Sequence, residues 1–520
     1  MLSARHKSHN SQARRMATAP LGRPGDRSTS YVAKIMRTDA STSRNDIGDE
    51  AHLSATGFHP LTKRQDNAQL QGYESGVKAA FDAIDPAMKE ISALSGHVDF
   101  QTRAKELISS RLGLGLPQTL FSDLTAGGMD IRRLYAWCLF ETYQKYCNSF
   151  LHDFPYCMSD NEFQDFLHEC GFHALDVSPC SDGRLAHVVS YVLRLPYRSV
   201  RRKSYAGAMF DIEDNIEKWV ETEFLRFREG KPNTADAPTR YLKTVVYHYS
   251  SIDPGYEGCA AHGSDSRMAA KAGMDRLIAF KQAIENTFCC GASIDYLLIG
   301  LDTDTDAICI HPADANDRIN LDKCINAREI YDATKSMDYR QARNMVSDIV
   351  KAASPGMPEG MENLVTYLLI NNISQIDYVR MYHGEHYEDI GHAEHFIGAG
   401  IGFEEVQLRN LTYFAYLNTV EEAANDLDVG IKIFTRLNVS RGLPVPVVVR
   451  YDYHNNVPGA RERAIQHCQR VADALNSRYK DLVSQGLLHT LLVIRDIDTY
   501  NDSIEVLACS AAACAAGEAH

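Results

Sequence analysis

The sequence predicts an α/β protein made of two related halves, preceded by a small helical domain and a disordered N-terminal arm. Three observations carry this prediction. After Pro155, β-branched apolar runs alternate with amphipathic helical patterns. Residue types that bind metals follow directly on two of those runs, and short segments from the middle of the chain recur near its end.

A chain of 520 residues is long for a single core. Its 44% hydrophobic and 23% charged composition is that of a globular protein, and no run approaches the ~20 apolar residues of a membrane helix. A formal charge of -14 argues against nucleic-acid binding by the body of the chain, because phosphate contacts need a basic face. The 13 cysteines are odd in number, scattered and without the spacing of a secreted disulfide framework. No Sec-type signal is present, so a reducing interior is expected.

Residues 1–72 are rich in Ser, Thr, Arg and Gly and have no apolar periodicity, which predicts disorder. Residues 1–44 carry nine Lys/Arg against Asp26 and Asp39. This segment is either a solvated tail or an arm that folds on a partner, with Lys34 and Arg37 beside the apolar groups of Tyr31–Arg37. Its acid-poor start also has the composition of an organellar transit peptide. Residues 73–156 form the expected helical domain. Val77, Ala80, Phe81 and Ile84 share one face; Leu134, Cys138, Leu139 and Tyr143 share another. Cys138 and Cys147 are expected in the core.

Residues 157–403 should hold the chemistry. Ala174–Val177 is a short strand leading to Pro179-Cys180, and Ala186–Leu193 is apolar enough for a buried helix or strand. Ile216, Trp219, Val220, Phe224 and Phe227 predict a helix with one apolar face, and Lys243–Tyr247 is a strand running straight into His248. Cys180 and His248 therefore sit at strand ends, where open α/β sheets place their sites. Residues 404–520 echo this half. Val448-Val449, Tyr453 and Pro458-Gly459 repeat Val245–Tyr249 and Pro254-Gly255, while Leu491, Asp496 and Asp498 repeat Leu297, Asp302 and Asp304. In this register Asp452 stands where His248 does and Arg463 where Cys259 does, so the second copy has lost those ligands.

Cys180, His248 and Cys259 make a Cys₂His set, which leaves a fourth zinc position open for water. Asp182 and Arg184 supply what a structural site has no need of. A bidentate Arg184 pair keeps Asp182 ionised and off the metal, and a free carboxylate oxygen can orient bound water or hydroxide. Gly183 between them permits a tight turn. A rival group, His168, Cys170, His173 and Cys180, could form a closed zinc site of uncommon spacing. Adjacent Cys289-Cys290 are expected in the core and His262 at the surface. His383, His386, His392 and His395, with Glu385, Glu388 and Glu394, suggest a second metal site or a proton shuttle, but an interface or solvated loop is expected because no ligand spacing there is diagnostic. The run Arg194, Arg198, Arg201, Arg202 and Lys203 is either a solvated or partner-facing surface or a site for an anionic regulatory metabolite.

Cys180-x-Asp182-x-Arg184 with a later His and Cys resembles the β-class carbonic anhydrase signature, except that ten residues separate His248 from Cys259 where the family has His-x-x-Cys. That spacing, the helical domain, the basic arm, the degenerate second half and Cys259-Ala-Ala-His-Gly263 are similar to the carboxysomal shell carbonic anhydrases, a divergent β-class branch once called the ε class. The resemblance implies a β-carbonic-anhydrase-like catalytic domain plus a degenerate copy that together mimic a β-class dimer. It implies reversible hydration of carbon dioxide to bicarbonate by zinc-bound hydroxide, with one Zn²⁺ per chain. It further implies residence in a carboxysome, supply of carbon dioxide to Rubisco, a homodimer or higher homo-oligomer, and an N-terminal arm that binds Rubisco or shell proteins. The competing expectation is a zinc-stabilised scaffold without catalysis, which recruits a partner through the same arm.

Overall fold

The computed structural model describes residues 57–94, 96–117, 120, 130–153, 159–288, 292–314, 318–415, 424–498 and 503–512. Tyr31–Arg37, Cys289-Cys290 and most of the N-terminal arm lie outside the described residues. The arm was expected to reach residue 72, but α1 (Arg64–Asp82) begins inside it, and Leu61 and Leu70 are buried. The reason is a helical stripe of Leu70, Tyr73, Val77 and Phe81 that starts earlier than the apolar pattern alone suggests, aided by buried Asn67, which donates to the Ser374 carbonyl (3.0 Å).

Helices α2 (Ile84–Ala93), α3 (Phe100–Leu112) and α4 (Ile131–Asp153) complete the helical layer. Cys138 and Cys147 of α4 are buried, as expected of core thiols. The layer packs on the later part of the chain: Tyr143 meets Phe396 at 5.5 Å and Phe403 at 6.4 Å between ring centroids.

After α5 (Asp160–Glu169) comes the first sheet: β1 (Ala174–Pro179), β2 (Arg201–Arg202), β3 (Tyr241–Tyr249), β4 (Asp295–Asp302), β5 (Ile308–His311) and β6 (Ile325–Asn326). Its spatial order is β2-β1-β3-β4-β5-β6, parallel from β2 to β4 and antiparallel beyond. The crossovers are α6 (Ile212–Arg228) and α7 (Ser266–Thr287). Trp219 of α6 is buried, but Val220, Phe224 and Phe227 are exposed, so the expected apolar face is only partly used. Fully buried Lys243 of β3 accounts for the rotation, because it donates to Asn215 of α6 (2.5 Å) as well as to Asp176 (2.5 Å) and Ser178 (2.8 Å). A buried ammonium needs such partners. Cys309 and Cys324 form a disulfide, with Cα atoms 5.6 Å apart, against the expectation that all thiols are reduced. Pairing of Cys309 with Asn326 across β5 and β6 brings them together.

Helices α8 (Ala327–Thr334), α9 (Tyr339–Ala353) and α10 (Glu359–Tyr382) lead to the second sheet. Its strands are β7 (Phe396–Ile401), β8 (Thr412–Ala415), β9 (Val445–Tyr453), β10 (Leu488–Asp496) and β11 (Glu505–Cys509), with crossovers α11 (Ala424–Leu437) and α12 (Ala460–Arg478). The order β8-β7-β9-β10-β11, parallel until the last pair, repeats that of β2-β1-β3-β4-β5. Single bonds recur as well. Thr303 N donates to the Tyr249 carbonyl and Ile497 N to that of Tyr453; Asp304 accepts from Ser250 and Ile252 N, and Asp498 bonds His454 and Asn456 N. Among the described residues no helix is long and apolar enough to cross a membrane.

Candidate active site and metal centre

Strands β1 and β3 are parallel neighbours with Pro179 beside Val246, and Cys180 N donates to the Val246 carbonyl just beyond β1 (3.2 Å). His248 lies one residue before the end of β3. The loop that follows is tied down by two carboxylates. Asp302 accepts from Ser251 N (3.1 Å), and Asp304 accepts from the Ser250 hydroxyl (2.7 Å) and Ile252 N (2.8 Å). It delivers Cys259 to the mouth of the two strands, where its carbonyl accepts from His262 N and Ser264 N.

The ligand atoms of Cys180, His248 and Cys259 all lie within 4.8 Å of one another, and the two sulfurs are 4.0 Å apart. Tetrahedral zinc, with Zn–S bonds of about 2.3 Å, places two sulfurs about 3.8 Å apart. Both ring nitrogens of fully buried His248 lack a hydrogen-bond partner, and a buried imidazole is rarely left so. Two soft thiols and an unpaired imidazole at this separation fit zinc.

Arg184 grips Asp182 with both ends of its fork: Nε donates to Oδ1 (2.9 Å) and Nη2 to Oδ2 (2.7 Å). Nη1 donates to the carbonyls of Glu257 (2.7 Å) and Ile390 (2.8 Å), so the guanidinium is fixed by the loop before Cys259 and by the segment before β7. Oδ2 of Asp182 lies 3.6 Å from His248 Nε2. Burial opposes the charge on Asp182, but Arg184, His392 and His248 outweigh it and hold the carboxyl well below the usual carboxylate range.

His392 and Glu394 complete this group. His392 Nε2 stands 3.9 Å from Asp182 Oδ2, and its Nδ1 meets Glu394 Oε1 at 2.9 Å. Glu394 also accepts from Gly183 N (3.1 Å), and a Cβ at Gly183 would run into the Glu394 side chain. Gly183 is required by this close approach, not by the turn that the sequence suggested. The expectation of an interface or solvated loop for the histidine-rich stretch fails at His392 and Glu394, which the start of the second sheet carries back onto the first. His395 instead faces Asp82 (3.2 Å), and His383 packs on Tyr387 (4.6 Å). Nothing in the ligand-like spacing of the stretch singles out His392; its signal is the two-residue step to Glu394.

Burial of His392 works against protonation, yet Asp182 and Glu394 raise its pKa to about 9. A raised histidine pKa stabilises the fold fully below the unfolded value of about 6.5, and the contribution disappears as pH rises through the folded value. In metal-free protein, His392→Gln should therefore cost stability at pH 6 and little at pH 10. Urea midpoints of the two proteins measured across that range check this; a constant difference between them contradicts it.

These residues open on a cavity of about 400 Å³. Cys180, Asp182, His248, Cys259 and His392 form one wall, and Val429, Lys432, Ile433, Arg436 and Leu437 of α11 form the other. His262, expected at the surface, is half-buried and bonds the Gly207 carbonyl (3.1 Å) at the rim.

The rival ligand group does not assemble. Cys180 belongs to the Cys259 pair, and His173 Nδ1 accepts from Arg240 N (3.0 Å). The basic run also diverges. Arg194 is buried and donates to Asn67 (2.5 Å), Arg198 faces Glu404, Arg201 donates to the Lys218 carbonyl (2.7 Å), Arg202 lies over Phe414, and Lys203 pairs with Asp214 (3.1 Å).

Three family profiles match the chain in succession: Carboxysome Shell Carbonic Anhydrase, N-terminal, over residues 59–151; catalytic domain, over 162–392; and C-terminal, over 393–511. The chain belongs to the carboxysome shell carbonic anhydrase family. Among its relatives, the Carboxysome shell carbonic anhydrase of Prochlorococcus marinus (strain MIT 9313) is 51% identical over 479 residues, covering 91% of this chain and 93% of that protein. The relative from Parasynechococcus marenigrum (strain WH8102) is 54% identical over 444 residues, 84% and 77% of the two chains, and that from Halothiobacillus neapolitanus (strain ATCC 23641 / c2) is 44% identical over 453 residues, 85% and 88%. The protein is thus a carbonic anhydrase of the carboxysome. The cavity just described falls within the catalytic-domain match except for Tyr413 and the α11 wall, which the C-terminal match contributes along with Glu394 behind His392.

Proposed function

We propose that reversible hydration of carbon dioxide takes place in the cavity between β1, β3 and α11, with one zinc ion per chain held by Cys180, His248 and Cys259. The observation that carries this reading is the bidentate Asp182–Arg184 pair beside three metal-type donors. A purely structural zinc site, the competing scaffold reading, needs neither that pair nor an open cavity. Zinc bound there supplies Lewis acidity that turns water into a nucleophile near neutral pH. Asp182, kept ionised by Arg184, orients the nucleophile through the remaining lone pair of Oδ2. His392 holds or releases a proton at Nε2 beside Asp182, with Glu394 fixing its ring. Val429, Ile433, Ala260 and Ala261 give the cavity the apolar surface that carbon dioxide prefers to water.

The matching strand orders and the recurring bonds of Asp304 and Asp498 support a duplication, in which the second half is a degenerate copy of a β-class fold. At the place of the metal ligands this copy carries Asp452, whose carboxylate accepts from Arg450 (2.7 Å), within a buried cluster of Arg450, Arg495 and Glu405. We place the division between the halves at 392/393 rather than 403/404, because the later cut severs β7 from its sheet. The proposed function includes supply of carbon dioxide to Rubisco, with the basic N-terminal arm that precedes the helical layer engaging Rubisco or shell proteins and a homo-oligomer as the working form. Purified protein should hydrate carbon dioxide and contain about one zinc per chain, the content expected for a single three-ligand site. Zinc-replete protein without hydration activity would favour the scaffold.

A further inference from the structure

Lys432 and Arg436 stand four residues apart on α11, a spacing that puts both on one face of the helix, and both line the cavity. Each is exposed, and neither forms an ion pair with any described residue. Their neighbours differ. Asp428, one turn earlier, feels the Lys432 charge but is bonded by Arg478 (2.6 Å) and Tyr479 (2.7 Å), while Arg441 is paired with Asp85 (2.8 Å) and Arg461 with Glu505 (2.5 Å). Arg463, Arg470 and Lys480 of this half likewise form no ion pair with a described residue, but of these five cations only Lys432 and Arg436 line the cavity. Between them and the metal-type donors lie apolar Val429 and Ile433. The chain as a whole, at a formal charge of -14, repels anions.

We propose that Lys432 and Arg436 form a cationic mouth that draws bicarbonate into the cavity and holds it there, a task the second half performs for the first. The inference rests on the assignment of catalysis to this cavity. Within a screening length of about 10 Å the local positive field outweighs the distant negative charge, so bicarbonate is concentrated where neutral carbon dioxide is unaffected. The ratio of kcat/KM in the two directions is fixed by the equilibrium of the reaction, so a weaker hold on bicarbonate shows as parallel rises in its KM and in the dehydration kcat, and as weaker binding of other monovalent anions.

The test uses the full-length zinc enzyme, the double variant Lys432→Gln/Arg436→Gln and the charge-keeping variant Lys432→Arg/Arg436→Lys. The KM for bicarbonate, the KM for carbon dioxide and the inhibition constant of nitrate are measured at low and high ionic strength. At about 20 mM salt the double variant should raise the bicarbonate KM and the nitrate constant about three- to tenfold, and at about 0.5 M the difference should close. The carbon dioxide KM should change less than about twofold, since a neutral solute feels no steering. The charge-keeping variant should behave as the unaltered enzyme. Unchanged anion constants at low salt overturn the proposal, as does an equal rise in the carbon dioxide KM, which would mean that α11 has moved. If Cys180→Ala retains hydration, the assignment of the cavity fails instead; anion constants that ignore the charges, in an enzyme that needs Cys180, count against the cationic mouth alone.

Discussion

Replacing Cys180 or His248 with Ala should remove zinc and lower kcat/KM for carbon dioxide hydration by more than about 10³-fold, because two remaining donors neither retain the ion nor acidify water. The fold should survive. Cys180 lies at the end of β1, and its backbone bond to Val246 does not depend on the thiol. Zinc content by elemental analysis, stopped-flow hydration and circular dichroism on one preparation separate the possibilities. A variant that has lost its zinc and keeps its rate would end the assignment of Cys180, His248 and Cys259 as the centre.

Arg184→Ala should have the next largest effect, and it should act on both stability and rate. Arg184 is 1% exposed and satisfies Asp182 twice through its side chain, along with two carbonyls. Removing one partner of a buried pair leaves an uncompensated charge, at a cost of about 3–5 kcal/mol. Asp182 would then be free to approach the metal and close the open position, so kcat should fall at least about 10²-fold with zinc retained. Arg184→Lys should not restore the rate, since one ammonium cannot reproduce the two-pronged contact. Denaturation midpoints, zinc content and kcat distinguish this outcome from loss of metal. A fully active, stable Arg184→Ala enzyme would show that the pair is dispensable.

Two of the metal-type donors, Cys180 and His248, were legible in the sequence because each sits at the end of a strand that announces itself. Lys243–Tyr247 is β-branched and runs into His248, while Ala174–Val177 precedes Cys180 after a proline; parallel neighbours in register bring two such ends together. Asp182 and Arg184 were legible because they belong to the same short turn. The sequence similarity between the two segments has a structural counterpart where hydrogen bonding recurs, at Asp304 and Asp498. Other expectations gave way to packing. The helical layer claims residues from His59 onward, Val220, Phe224 and Phe227 turn to solvent because Lys243 needs Asn215, and Cys309 meets Cys324 across a hairpin.

By itself the sequence pointed to the residues whose chemistry is local: three donors of metal-binding type, and a carboxylate and a guanidinium two residues apart. Only the tertiary structure decided what lies across the cavity. His392 and Glu394 come from a stretch that looked like a solvated loop, and Lys432 and Arg436 from α11, a crossover helix of the second sheet. His392 reaches Asp182 (3.9 Å) and Glu394 reaches Gly183 (3.1 Å), while α11 faces Cys180 and His248 across the cavity. Such contacts join residues roughly two hundred positions apart, and neither helical nor strand periodicity reports them, because both periods describe the faces of a single element and not which element it meets.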